Sequence, residues 1–114
     1  MHARAATPQD TDWRAIATWY DVLARAAPGP IVEVNRAVAH GRAYGPAAGL
    51  AVLDDLPAGA LAGSHLLPSV RADLLARAGR YADAAASFRE AASLTANESE
   101  RALLLRRAAE CDQR

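Results

Sequence analysis

Three residues near the middle of the chain, His65, Arg71 and Asp73, are of the types that carry acid–base chemistry in enzymes. Nucleophilic catalysis needs a serine or cysteine with a base beside it and a carboxylate that orients the base. No serine or cysteine of this sequence stands in such an arrangement. We therefore expect no enzymatic activity and no catalytic residue, and we interpret His65 as a residue that caps or packs the start of a helix.

Metal and cofactor chemistry is also not indicated by the residue spacing. The histidines His2, His40 and His65 lie far apart, and none has a carboxylate or cysteine at the helical spacing of metal ligands. The single cysteine, Cys111, cannot form a disulfide within the chain and is interpreted as a small packing residue. The sequence also has no glycine-rich phosphate loop. We expect neither a metal nor a cofactor.

Contact with another protein suits the remaining polar and aromatic candidates better. Glu33 and Arg36 have the i, i+3 spacing of an ion pair within a helix, while Asn35 either satisfies a backbone carbonyl or faces the inner surface of a helical array. Trp19 lies at the edge of an apolar stripe, as core margin or as interface, and Arg71 pairs with an acid or contacts a partner. The candidate partner-binding residues are Trp19, Glu33, Asn35, Arg36 and Arg71.

The elements that must position these residues are helices. Alanine, the best helix former, occupies 30 of 114 positions, whereas aromatic residues, which favour strands, make up 5% of the chain. Apolar residues recurring at three- and four-residue steps predict six helices, with Trp13 and Tyr20 in the core and Gly41 as the end of the second helix. The predicted helices cover about residues 12–27, 30–41, 46–55, 65–78, 81–94 and a sixth after Asn97.

The charges exclude some classes of partner. Thirteen arginines balance thirteen acidic residues without any lysine, whereas domains that bind nucleic acid on their own cluster basic residues. We expect no direct nucleic-acid binding, and we interpret Arg101, Arg106 and Arg107 as a solvated face. No apolar run is long enough to span a membrane, and the first ten residues lack the apolar core of a signal peptide. A cytoplasmic location is therefore expected.

A repeated pattern predicts how the helices are arranged. Gly41-Arg42-Ala43-Tyr44 and Gly79-Arg80-Tyr81, about 38 residues apart, each separate a helix from an alanine-rich successor. The segment from Gly79 to Ala84, followed by Phe88 and Ala91, looks like the second half of a tetratricopeptide (TPR) repeat. We predict an all-α fold of about six antiparallel helices in a TPR-like array of helical hairpins, forming one domain over 1–114 with a flexible lead over 1–11.

Six segments of the chain carry a resemblance to a known family. They are 10–13 (DTDW), 19–21 (WYD), 28–39 (PGPIVEVNRAVA), 45–50 (GPAAGL), 65–75 (HLLPSVRADLL) and 97–104 (NESERALL). In this order they resemble the C-terminal TPR-like extension of bacterial extracytoplasmic-function, sigma-24-like, RNA polymerase sigma factors. The resemblance covers nearly the whole chain.

The resemblance implies a part in transcription initiation by a larger parent protein. The resemblance implies that the promoter-reading and core-binding regions of such a parent lie upstream of this extension, and this sequence itself has no basic helix-turn-helix and no aromatic-rich promoter-melting helix. The implied partners are the sigma regions, the core polymerase or a protein regulator, and a homodimer is a further candidate. A different interpretation stays open, namely a stand-alone TPR-like adaptor that binds a peptide or folded partner and is unrelated to transcription.

Overall fold

The computed structural model describes residues 11–114, which form six α-helices and no strand. The helices are α1 (Trp13–Ala26), α2 (Pro30–Tyr44), α3 (Pro46–Asp54), α4 (Leu66–Arg77), α5 (Tyr81–Leu94) and α6 (Glu98–Asp112). Each helix packs against the next one in the chain, and α2 also touches α4. The predicted all-α fold of helical hairpins is confirmed. The predicted flexible lead lies, apart from its last residue, outside the described residues.

Local capping explains where most of the helices begin and end. The Asp12 carboxylate accepts a hydrogen bond from the Ala15 N–H at 3.1 Å, and the Asn97 side chain accepts one from the Glu100 N–H at 2.9 Å. The end of α4 is closed by Gly79, whose φ of 80° is a backbone conformation that glycine adopts freely. These helix ends agree with the sequence prediction.

The predicted end of the second helix is wrong, because α2 continues past Gly41 to Tyr44. Gly45, with φ 107°, is the residue that ends it. A Cβ atom at Gly41 would lie 2.6 Å from a methyl group of Leu74 on α4. Gly41 is therefore a site of close helix approach rather than a helix stop.

A second glycine forms the other side of the same junction. A Cβ atom at Gly49 of α3 would lie 2.7 Å from the Ala37 carbonyl oxygen on α2 and 2.9 Å from Leu74. Such distances are shorter than van der Waals contact, so only glycine fits there without a shift of the backbone. The junction of α2, α3 and α4 thus depends on two glycines that face one leucine.

Buried side chains form two apolar clusters. The N-terminal cluster joins α2, α3 and α4, and consists of Val34, Ala37, Val52, Leu53 and Leu74. The C-terminal cluster joins α4, α5 and α6 around Phe88, and consists otherwise of Ala72, Leu75, Ala84, Ala85, Ala91, Ala92, Leu104, Ala108 and Cys111. Because most of its members are alanines, the backbones of these helices can approach closely.

Within residues 11–114, no helix is both long enough and apolar enough to cross a bilayer.

Candidate interaction surfaces

The first helix leaves much of its apolar surface open. Of its residues only Ala17 is fully buried, although Trp13 and Tyr20 were predicted to belong to the core. Both aromatic residues are instead half-buried, because among the described helices α1 packs chiefly against α2. Their placement corrects the sequence prediction, and the Arg42 guanidinium stands over the Trp13 ring, 5.5 Å from its centroid.

Trp19 and Val22 are the most exposed large apolar residues of this helix. Their exposed fractions are 59% and 56%, and the Trp19 ring meets the Tyr20 ring edge-on with 5.2 Å between the ring centroids. Half-buried Ile16, Tyr20 and Leu23 lie beside them at helical spacing. We call these five residues the α1 face. Contiguous exposed apolar residues of this kind are typical of protein–protein contacts.

A cluster of charged residues joins α1 to α2. The Arg36 Nε donates to the Asp21 carboxylate at 2.7 Å, and the Arg36 guanidinium also pairs with Glu33 at 3.0 Å. His40 Nε2 lies 2.8 Å from the same Asp21 oxygen. We call these four residues the Asp21 cluster. The i, i+3 ion pair predicted from the sequence is present, and it extends to two residues that the sequence spacing did not connect.

Electrostatics within the Asp21 cluster favour the charged forms of Asp21 and Arg36. Burial by itself raises the pKa of Asp21, but the hydrogen bonds from Arg36 and His40 outweigh it and hold that pKa below its usual value. The hydrogen bond to Asp21 raises the pKa of Arg36 in turn. The charge of Arg36 is therefore neutralised by contacts inside the chain, and the residue joins α2 to α1.

The candidate partner-binding residues do not form one site. Trp19 belongs to the α1 face, whereas Glu33 and Arg36 belong to the Asp21 cluster. Asn35 is exposed on α2, one turn before Val38 on the same side of the helix. Arg71 pairs with Asp54 of α3 at 3.5 Å, as one of its predicted roles required. Among these five candidate residues, only Trp19 presents a large apolar side chain to solvent.

A groove runs along α2, α4 and α6. Its first cavity, of about 150 Å³, lies between α2 and α4, and Val38, Val70 and Leu74 contribute its apolar walls. Its second cavity, of about 210 Å³, lies between α4 and α6. Asp73 and Arg77 line both cavities, so that the two are adjacent. We call them together the groove.

Two arginines of the groove, Arg77 and Arg107, share one carboxylate, that of Asp73. Asp73 accepts a hydrogen bond from Arg77 on α4 and another from Arg107 on α6, both at 3.0 Å. The Arg107 guanidinium also stands over the Phe88 ring, 4.6 Å from its centroid. Arg107 was predicted to lie on a solvated face. Its pairing with Asp73 could not be predicted from the sequence, because the pairing depends on how α6 crosses α4.

Two further residues have structural contacts that the sequence did not reveal. Arg101 donates to the carbonyl oxygens of Ala92 and Thr95 at 3.0 and 2.7 Å, and so caps the end of α5. His65, at the start of α4, makes no capping bond with its side chain but lies 3.0 Å from a carboxylate oxygen of Glu100. A predicted solvated arginine is thus a helix cap, and His65, predicted to cap or pack the start of α4, packs there against Glu100 of α6 without capping the helix.

Within residues 11–114, no group of three or more histidine, cysteine, aspartate or glutamate side chains is placed to hold a metal ion.

Comparison with known proteins shows a similarity to a bacterial protein. The chain is 39% identical over 104 residues to an uncharacterized protein of Rhizobium meliloti (strain 1021), and the alignment covers 91% of this chain. It covers 24% of the Rhizobium protein, so the chain spans about a quarter of the length of that curated relative. No family model matches the chain, and no solved structure matches it.

Proposed function

We propose that this chain is a non-catalytic interaction and regulatory domain of a bacterial extracytoplasmic-function RNA polymerase sigma factor. In this proposal it contributes to transcription initiation by contacts with the sigma regions of the parent protein, with the polymerase or with a regulator. The resemblance of six segments along the chain supports the proposal. The length of the Rhizobium relative, about four times the matched region, is consistent with a longer parent.

The α1 face is the observation that carries the proposal. Trp19 and Val22 are more than half exposed on a helix that buries only Ala17 fully. Tryptophan in an exposed apolar patch is the kind of residue that contributes most of the binding energy in protein interfaces. A sigma region packed on α1 would cover this face.

A stand-alone TPR-like adaptor is the second candidate. The groove along α2, α4 and α6 favours it, because a groove between helices can hold part of another protein without any upstream domain. The two candidates share the fold and differ in the size of the gene product.

The first experiment measures the intact mass of the endogenous gene product, captured with an antibody raised against this chain. The sigma-factor proposal expects a product several times heavier than 12.0 kDa, whose additional sequence contains a basic helix-turn-helix. A product of 12.0 kDa would reject the proposal in favour of the adaptor.

A second experiment locates the contact in the intact gene product. A photo-crosslinking residue, p-benzoylphenylalanine, replaces Trp19 of the α1 face, and in a matched control it replaces Ala82, which is exposed on α5. We expect crosslinks from position 19 to the sigma regions or the polymerase, and few from position 82. Equal crosslinking from the two positions would contradict a role for the α1 face.

A further inference from the structure

We propose that the groove binds an extended acidic segment of a partner protein, with an apolar side chain of that segment in the first cavity. This inference does not rest on the sigma-factor proposal, since the residues of the α1 face line neither cavity. It concerns a second surface and a second partner.

The first cavity is suited to an aliphatic side chain. Its walls are the side chains of Val38, Val70 and Leu74, and the backbone of Gly41 lines it beside Leu74. A volume of about 150 Å³ is enough for one side chain but not for a folded element. An apolar side chain buried there would remove its own surface and the apolar walls of the cavity from water.

The second cavity is suited to carboxylates. Arg77, Arg107 and Arg114 line it, and Arg42 lines the first cavity, against the two carboxylates of Asp73 and Glu110. Four arginines and two carboxylates leave the groove with a net charge of about +2, in a chain whose formal net charge is zero. An anionic segment therefore complements the groove.

The guanidinium groups are held in position before any ligand arrives. Each of Arg77 and Arg107 uses one nitrogen for Asp73, and a guanidinium has five N–H donors. Arg107 stands over the Phe88 ring, and Arg114 stands over the Tyr81 ring with 5.3 Å to its centroid. Fixed arginines with free donors lose little conformational entropy when they bind a carboxylate.

A protein segment fits these features better than a nucleic acid does. The apolar walls of the first cavity suit an aliphatic side chain, which a sugar–phosphate backbone does not carry. The cavities are of the size of single side chains and adjoin at Asp73 and Arg77. The apolar and acidic side chains of the ligand should therefore be neighbours in its sequence.

The test uses the 114-residue chain and a fluorescein-labelled peptide of sequence SEELDES, with binding followed by fluorescence anisotropy. Two control peptides, SEEGDES and SKKLKKS, remove the apolar side chain and reverse the charge. We expect binding of SEELDES that weakens as salt is raised, at least threefold weaker binding of SEEGDES, and no binding of SKKLKKS. A single-stranded oligonucleotide of equal charge should bind more weakly than SEELDES.

Charge-reversal variants locate the site. We expect Arg77→Glu combined with Arg114→Glu to weaken the binding of SEELDES at least tenfold, with unchanged far-UV circular dichroism. Arg106→Glu is the matched control, since Arg106 is exposed on α6 and lines neither cavity. Amide chemical shifts of the unsubstituted chain give a measurement that does not depend on how the variants fold, and peptide binding should move the signals of Val38, Asp73 and Arg107.

Several results would overturn the inference. They are no binding of SEELDES at millimolar concentration, equal binding by the groove variant and the Arg106→Glu control, and shift changes confined to α1. Preferential binding of the oligonucleotide would overturn it in favour of a nucleic-acid surface. None of these results bears on the mass of the gene product, so failure here is distinguishable from failure of the sigma-factor proposal.

Discussion

Helices α1 and α5 have the same length of 14 residues but differ in what they bury. In α5 six residues are fully buried, whereas in α1 only Ala17 is. The apolar stripe of α1 contains the larger side chains, including Trp13 and Tyr20, while α5 is composed largely of alanine around Phe88. The difference follows from their neighbours, because α5 lies between α4 and α6 and α1 packs chiefly against α2.

An amphipathic helix can have its apolar side covered by other helices of the same chain, or it can leave that side open. A stripe of apolar residues indicates that one side of a helix is stabilised by a partner, but it does not tell where the partner is. For α5 the partners are the neighbouring helices of the same chain. For α1, polar contacts of the Asp21 cluster join it to α2 while much of its aromatic surface stays open. The open side therefore lies outside the two buried clusters of the described residues.

The largest expected effect comes from removing the aromatic residue at the centre of α5. Phe88→Ala should lower the free energy of unfolding by about 3 to 5 kcal/mol, because it leaves a cavity in the C-terminal cluster and removes the ring under Arg107. Trp19→Ala is the matched control on α1 and should cost less than about 1 kcal/mol, since the side chain is largely exposed. Urea denaturation measures both. Equal costs would remove the contrast between the two helices.

A smaller effect tests the junction of α2, α3 and α4. Gly49→Ala should cost about 1 to 3 kcal/mol, because the added methyl group collides with the Ala37 carbonyl and outweighs the better helix propensity of alanine. Gly29→Ala is the control, since a Cβ there meets nothing within 4 Å and its φ of 168° is ordinary extended backbone. Thermal unfolding distinguishes them, and a Gly49→Ala protein as stable as the control would contradict the close approach.

The attachment of α1 should depend on pH through Asp21. Its pKa is lowered in the folded chain, so the stabilisation is complete above the unfolded pKa of about 4 and is lost as the pH falls through the folded value. Asp21→Asn should cost about 1 kcal/mol near neutral pH, because Arg36 and His40 lose their anionic partner.

The measurement is urea denaturation of both proteins at about pH 7 and about pH 3, where the difference between them should have shrunk. Asp54→Asn provides the control, since Asp54 pairs with Arg71 at a site that is 70% exposed. A difference between wild type and Asp21→Asn that stayed constant with pH would show that the charge of Asp21 is not what joins α1 to α2.

The smallest effect on folding is expected at Arg71. Arg71→Glu replaces an exposed ion pair with a repulsion and should change the stability by less than about 1 kcal/mol, with unchanged helicity. In the sigma-factor proposal, the same change should weaken association with the sigma regions. Binding of the variant and the wild-type chain to those regions, measured by calorimetry, checks this, and equal affinities would leave Arg71 with its structural role alone.

The sequence predicted the helices well because their ends are encoded locally. Asp12, Asn97 and Gly79 cap helices through contacts with residues no more than a few positions away. The end of α2 could not be predicted in this way, since the reason for Gly41 is a leucine on another helix. The core positions predicted for Trp13 and Tyr20 failed for a similar reason, because burial depends on neighbouring helices, and among the described ones α1 packs chiefly against α2.

The candidate surfaces were less predictable than the helices. The pairing of Glu33 with Arg36 followed from helical spacing. Asp21, however, lies on α1, 15 residues before Arg36 and 19 residues before His40, and its contacts with both cross from one helix to the other. The groove depends in the same way on how α2, α4 and α6 lie side by side. A single sequence gives the direction of a side chain on its own helix, whereas these sites require the crossing of several helices.

Adjacent residues of α4, Leu74 and Leu75, belong to different clusters, the first to the N-terminal and the second to the C-terminal one. Neither cluster is complete without this helix, so α4 cannot unravel while one of them stays intact. Residues 30–112 should accordingly melt as a single cooperative unit, and their amide protons should exchange with solvent at a common, slow rate. The amides of α1, which lies outside both clusters, should exchange first.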